Sequence, residues 1–323
     1  VLGVLGWALS IAPACAQTPS EGPATLALAT QSLQPDPGDM ITAALAADDR
    51  LVYVGVQQIE EHGKEQGSRS RREVHRDGPR GRTRYQYLSP GLLAGAVVLQ
   101  RGGDRWQYRP DQGRWLHEKT LPEMLISFTD TVDLLFRNYE IEAAGESSVA
   151  GRRCLIYEIL PRNSGNPSRR LHVDAEMRLP LRTENVNGLG ELVSVATFES
   201  IEFVDQIEAS VFAPPEGPIE DDPVRREGPI DLWAAEGEAG FPVREPRYIP
   251  EGYRFAGAFI IRTDKSLVVH LQWFDGLSLI SLFKQRAGTI LPDSAWERYH
   301  ANTVTWTSGG YLYTLMGDLV PPE

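Results

Sequence analysis

Six histidines, His62, His75, His117, His172, His270 and His300, and two cysteines, Cys15 and Cys154, are the obvious candidates for metal or nucleophilic chemistry in this 323-residue chain. Their spacing supports neither. No two histidines stand three to five residues apart and no His-Glu-x-x-His occurs, so a zinc site has no sequence signature. There is no Gly-x-Ser-x-Gly elbow to present a serine nucleophile. There is no Gly-x-x-x-x-Gly-Lys loop to cradle phosphate, and Gly188-Leu189-Gly190 lacks the third glycine of a dinucleotide fingerprint. Carboxylates are plentiful, but no pair stands out from ordinary strand surface. The expectation is a protein without catalytic residues, metal or cofactor. Side chains distant in sequence can still meet in a fold, so enzymatic action stays open at this level.

The side chains better suited to binding are aromatic and basic. Tyr53, Tyr85, Tyr87, Trp106, Tyr108, Trp115, Phe136 and Tyr157 are candidates to line a groove for an acyl chain or an apolar peptide. The competing reading is ordinary core packing and cross-strand pairing. Tyr85 and Tyr87 share a strand face by period two, as do Trp106 and Tyr108. Net charge is −12, which argues against nucleic acid as a partner. Yet Lys64 and seven arginines crowd residues 64–84. Among them Arg69, Arg71, Arg72, Arg82 and Arg84 are candidates to dock anionic groups such as lipid phosphates or an acidic peptide. Here the competing reading is a solvated edge hairpin whose charge discourages aggregation.

These residues must be carried by strands. From Arg50 onward the apolar residues alternate, and strands are read near 50–60, 69–76, 82–88, 96–101, 104–109 and 114–118. Asp39 can cap a short helix over Met40 to Ala47. Residues 120–137 change period: Leu121, Met124, Leu125, Phe128, Val132 and Leu135 recur at helical spacing. Strands resume near 138–145, 153–160, 169–174, 180–187 and 191–203. About eleven antiparallel strands with grouped helices make an α+β fold, not a doubly wound one. In 153–160 both strand faces are apolar, and a curved sheet wrapped over a helix can use its second apolar face to line a groove.

The chain divides into segments. Residues 1–16 read as the back half of a secretory signal, with Ala14-Cys15-Ala16 as the cleavage site before Gln17. The rival reading is lipidation at Cys15. Cleavage leaves Cys154 alone, as a small buried hydrophobe. Residues 17–38 are a flexible leader and 39–213 the large domain. Residues 214–246, with seven prolines among acidic residues, are a linker that holds a short helical turn at Asp231 to Glu236. A small domain follows at 247–323. In it Ser266–Phe274 and Leu277–Gln285 flank Asp275-Gly276, a type I′ hairpin signal. Asn302–Thr307 and Tyr311–Met316 flank a second turn. A terminal helix is expected to begin at Val320-Pro321-Pro322 and to be cut off.

Several phrases carry a family resemblance. In the large domain they are Leu51-Val52-Tyr53-Val54-Gly55, Gly103-Asp104-Arg105-Trp106-Gln107-Tyr108, Val149 to Cys154, Val173 to Arg182 and Val211-Phe212. In the small domain they are Pro250-Glu251-Gly252-Tyr253 and Phe274 to Phe283. In this order they resemble the MucB/RseB family. The resemblance implies a LolA/LolB-like half-barrel sheet covering helices, followed by a small antiparallel β-rich α+β domain. It implies a periplasmic negative regulator of an extracytoplasmic-function sigma factor. Such a protein binds the periplasmic segment of a membrane-spanning anti-sigma factor and protects it from proteolysis, while its groove senses a lipid or lipopolysaccharide-like amphiphile. Trp273, Phe274, Leu277 and Phe283 are the partner-binding candidates of the small domain. The competing class is a lipid or lipoprotein carrier of LolA/LolB type, and a third is a structural envelope adaptor. Homo-oligomer formation is left open.

Overall fold

The computed structural model describes residues 35–62, 67–91, 93–120, 124–214, 216, 218–263, 266–288 and 302–317. The signal remnant, nearly all of the leader and the terminal helix expected from Val320 lie outside the described residues. Helix α1 (Pro37–Leu45) starts at Asp36, whose carboxylate accepts the amides of Gly38 and Asp39 at 2.9 and 3.1 Å. The cap is therefore Asp36 and not Asp39. Pro37 suits the first helical position because the amide it lacks would have no partner there. Helix α2 (Ala47–Arg50) follows directly.

The first sheet joins two meanders. Strands β1 (Val52–Glu61), β2 (Ser68–Asp77), β3 (Arg82–Ser89), β4 (Val97–Arg101), β5 (Asp104–Arg109) and β6 (Arg114–Lys119) pair in sequence. After helix α3 (Phe128–Asn138) come β7 (Tyr139–Val149), β8 (Arg152–Pro161), β9 (Ser168–Asp174), β10 (Pro180–Val186) and β11 (Leu192–Phe203). The two series meet where β11 pairs antiparallel with β1. A twelfth strand, β12 (Ile219–Asp221), runs parallel to β6 at the far edge. The sheet thus has twelve strands, the roughly eleven expected from the sequence plus β12.

Its apolar interior forms where α1 and α3 lie on β8 and β9. Met40, Ile41 and Ala44 of α1 and Leu135 of α3 pack with Leu155, Tyr157, Ile159, Leu171 and Val173. A neighbouring cluster joins Ala47 of α2 to Tyr53, Val74, Cys154, Leu181 and Phe198. The expected helix over 120–137 begins only at Phe128. Ser127 caps it by accepting the Asp130 amide at 3.1 Å, and the Leu125 amide instead donates to the Ala256 carbonyl at 2.6 Å.

The second sheet contains β13 (Arg225–Ile230), β14 (Arg254–Arg262), β15 (Leu267–Phe274), β16 (Leu279–Arg286), β17 (Asn302–Ser308) and β18 (Tyr311–Gly317), in the order β13-β14-β15-β16-β18-β17. Helix α4 (Leu232–Ala239) covers one face through Ala235, which packs with Phe241, Val243, Trp273 and Ile280. The stretch read as a linker is therefore largely ordered. It supplies β12 to one sheet and β13 and α4 to the other. Among its described prolines, Pro229 falls in the register shift of β13 between Glu227 and Ile230, and Pro214, Pro218, Pro223, Pro242 and Pro246 lie outside the strands, so no ladder hydrogen bond is lost.

The two hairpin turns exchange character. Gly309-Gly310, with φ of 57° and 83°, is a two-residue turn between the paired Ser308 and Tyr311. Asp275-Gly276, expected as the type I′ turn, opens a four-residue loop. The Asp275 carboxylate accepts the Leu277 and Ser278 amides at 2.9 and 2.8 Å. That loop is not at the surface: Asp275 is 0% exposed.

Candidate functional site

Directly paired residues on neighbouring antiparallel strands share a face. Register therefore sorts the aromatic candidates. Tyr85 pairs with Val74 and that with Gly55, so it shares a face with Tyr53 and, by period two, with Tyr87. Tyr157 reaches the same face through Leu171, Thr183, Ala196 and Ile59. This is the helix side: the Tyr53 hydroxyl donates to Asp48 of α2 at 2.8 Å. Trp106 pairs with Leu99 and that with Arg84, the chain neighbour of Tyr85, so Trp106, Tyr108 and Trp115 occupy the reverse side. There Trp106 packs on Leu99 and Phe212, under the short 3-10 turn at Ala209–Phe212.

The eight aromatics do not converge on one surface. Tyr53 and Tyr157 are buried core, Tyr85, Tyr87, Tyr108 and Trp115 are half-buried, and Phe136 stands on α3 with 36% exposure. Burial pushes the Tyr53 and Tyr85 hydroxyls above their ordinary range. Period two within a strand was legible in the sequence. Which face each strand turns inward depends on register across strands far apart in sequence.

The arginine candidates are largely engaged. Arg69 pairs with Glu60 at 2.9 Å and Arg71 with Glu199 at 2.6 Å. Arg72 donates to Gln57 at 2.9 Å and lies over the Tyr85 ring, 4.0 Å from its centroid. Arg82 bonds the fully buried Asp77, and Arg84 donates to Gln86 at 2.8 Å. Arg72 is on the helix side, and the other four are on the reverse side. An incoming anion would have to displace these partners.

The small-domain candidates are all interior. Trp273 (2% exposed) sits in the core of the second sheet, and its indole donates to Glu245 at 3.0 Å. Phe283 packs with Ile261 and Val268 and stacks on the buried His270. Phe274 packs with Ile126 and Leu134, next to α3. Leu277 leaves its own sheet and joins the apolar interior of the first, among Ile41, Leu135, Tyr157 and Leu171.

The hairpin tip at Asp275–Ser278 is thus seated in the large sheet. Asp275 Oδ2 accepts the Tyr139 hydroxyl at 2.6 Å and the Asn166 amide at 3.2 Å. Asn138 donates to the carbonyls of Asp275 and Gly252, at 2.8 and 2.9 Å. Arg169 reaches the Leu277 carbonyl at 3.5 Å. A Cβ on Gly276, where φ is +101°, would lie 2.3 Å from the Leu135 amide nitrogen, so only glycine fits. The side chains that donate to Asp275 itself are neutral, and burial raises its carboxyl above its ordinary value despite them. The Tyr139 hydroxyl is also pushed up, by burial and by the carboxylate beside it. Asp275-Gly276 read as a type I′ hairpin turn, and nothing local marked it as a contact between sheets.

One polar cluster escaped the sequence reading. Ser147 Oγ lies 2.8 Å from His172 Nδ1, and His172 Nε2 lies 3.7 Å from Glu184. The residue types suggest an acyl-transfer triad, but the geometry does not. At 3.7 Å the carboxylate does not orient the ring, and Glu184 instead accepts Arg182 at 2.7 Å. His172 and Arg182 hold the Glu184 carboxyl down to about 2. Cys154, fully buried, is pushed up to about 11 by burial first and by Asp174 next. Among the described residues no cluster of three or more metal-binding side chains occurs, and no helix is long and apolar enough to cross a membrane.

A large, mostly antiparallel open sheet with an apolar interior, closed by a hairpin from a second, smaller sheet, defines a two-part α+β fold. The MucB/RseB N-terminal domain model matches residues 47–216, more than half of the chain, and the chain belongs to that family. The sigma factor AlgU regulatory protein MucB of Pseudomonas aeruginosa is 24% identical over 193 residues, which cover 56% of each chain. The match therefore spans little more than half of that relative. The Pseudomonas aeruginosa MucA/MucB complex contains a chain of the same fold, with a TM-score of 0.60 and 19% identity over 88% of this chain and 94% of that one. A crystal structure of MucB aligns with a TM-score of 0.56 and 20% identity, over 89% and 94%.

Proposed function

We propose that this protein is a periplasmic regulator of an extracytoplasmic-function sigma factor pathway. It binds the periplasmic segment of a membrane anti-sigma factor, shields that segment from proteolysis, and loosens its hold when the first sheet takes up an amphiphile. The observation that carries this reading is family membership, together with a fold shared across both sheets with MucB chains, one of them solved with MucA. The apolar interior beside Tyr157 and Leu171 gives the amphiphile a place to act. A ligand shifts partner binding only through different affinities for the two states.

The test is titration of a labelled periplasmic segment of the cognate anti-sigma factor into the full chain, at two salt concentrations, with and without lipid. Saturable binding that lipid weakens, with slower cleavage of the bound segment by protease, is the expected result. Absence of binding at every concentration would return the protein to the carrier class.

A further inference from the structure

We propose that the Asp275–Ser278 hairpin tip is a plug: while it is seated, Leu277 holds the apolar interior that an acyl chain would enter, so ligand entry and withdrawal of the tip are one event. The proposal rests on the amphiphile-sensing reading and adds its gate. Three observations support it. Leu277 belongs to the second sheet by chain but to the first sheet's interior by packing, beside Ile41, Leu135, Tyr157 and Leu171. The tip is held at its rim by Tyr139, Asn138 and Asn166, through hydrogen bonds of 2.6 to 3.2 Å to Asp275. These donors carry no charge, so releasing the tip breaks no salt bridge at Asp275. Gly276 lies against the backbone of Leu134 and Leu135, so the tip has no room to shift while an occupant slides in beside it.

Apolar burial sets which ligand wins. Leucine offers the pocket four side-chain carbons, and each further methylene of a linear chain adds apolar area. A long acyl chain therefore displaces the tip and a short one does not.

The experiment uses Gly276→Ala in the full chain. It changes no side chain of the interior, yet its Cβ would collide with the Leu135 amide, and so it unseats the tip. Gly309→Ala, in the other hairpin turn, also falls at a positive φ (+57°) but has nothing within 4 Å of its Cβ, and serves as the control for a substitution without a collision. A fluorescent sixteen-carbon fatty acid is titrated into each protein. Hydrogen exchange at the Leu277 and Ser278 amides reads the position of the tip, and circular dichroism reads the fold. Gly276→Ala should bind the probe about tenfold more tightly and lose amide protection. Saturating probe should strip the same protection from the unaltered protein. Gly309→Ala should match the unaltered protein.

If Gly276→Ala does not fold, Tyr139→Phe removes one rim bond and keeps the ring, and a tighter probe affinity of about threefold is expected from it. Probe binding by the unaltered protein with both amides still protected would overturn the plug and leave amphiphile sensing standing. An unseated tip with unchanged affinity would do the same. Failure of every folded form to bind the probe would overturn the sensing reading and the plug with it.

Discussion

At the residue scale, two buried carboxylates respond to acid with opposite sign. Asp275 has a folded-state pKa above its ordinary 3.8 because burial outweighs its hydrogen bonds. The folded state then holds the proton more tightly than the unfolded one. Its contribution to stability is fully present below about 3.9 and is lost as pH rises through the raised value. The groups facing it are Tyr139, Tyr253 and Ser278, with Arg169 at the neighbouring Leu277 carbonyl. Glu184, held near 2, contributes stability above its ordinary 4.5 that is lost as pH falls toward 2. Urea midpoints measured from pH 3 to 7 should show Asp275→Asn and Glu184→Gln changing the pH slope in opposite directions. A shift of equal sign in both would contradict these assignments. Cys154, with its thiol near 11 and no exposure, should resist alkylation at neutral pH and react promptly in denaturant. That such side chains could be core was legible in the sequence: core packing was the competing reading for the groove candidate Tyr157, and both it and the partner-binding candidate Trp273 are buried. Which core was not, because Leu277 packs with residues more than a hundred positions away.

At the element scale, alternation exposed most strands, since a half-buried strand writes its period into its own residues. What stayed hidden were elements whose partners lie elsewhere. Strand β12 has three residues, all exposed, and exists through its ladder to β6. Strand β13 exists through its ladder to β14, whereas helix α4, anticipated by the helical turn expected at Asp231 to Glu236, packs on the second sheet through Ala235. This division predicts where a protease acts. Limited proteolysis should cut around residues 214–223 before 230–243, because Ala235 and Val243 are buried against the second sheet. First cuts mapped by mass spectrometry within 230–243 would contradict that packing. The Ser127 cap went unread because the apolar spacing seemed to begin upstream. Ser127→Ala should cost about 1 kcal/mol of stability by the usual cost of losing such a cap, checked by thermal or urea unfolding.

At the scale of the whole molecule, two sheets share one interior. Removing residues 240–323 would strip away Leu277 and the Asp275 contacts and expose the first sheet's apolar cluster. Leu277→Ala in the full chain is the gentler probe. Truncating a buried leucine typically costs about 2–5 kcal/mol, and the loss should fall on both sheets' unfolding because the side chain bridges them. Two separate transitions, with only the second sheet's shifted, would show that the sheets are energetically independent. The α+β class and the two-sheet order were legible from strand counts and turns. The seating of one sheet in the other was not, because it depends on a buried aspartate that local rules place at a surface bend.

The pairing of β1 with β11 has a consequence for how the chain is made. Strand β1 ends at Glu61 and β11 begins at Leu192, so 131 residues must emerge before β1 gains its second neighbour. At about 5–20 residues per second, that is a wait of roughly 7 to 26 seconds during synthesis. Throughout it, one side of a ten-residue strand offers its amides and carbonyls to any passing chain. Association through β1 is therefore the hazard of any state in which β11 has not yet paired with it.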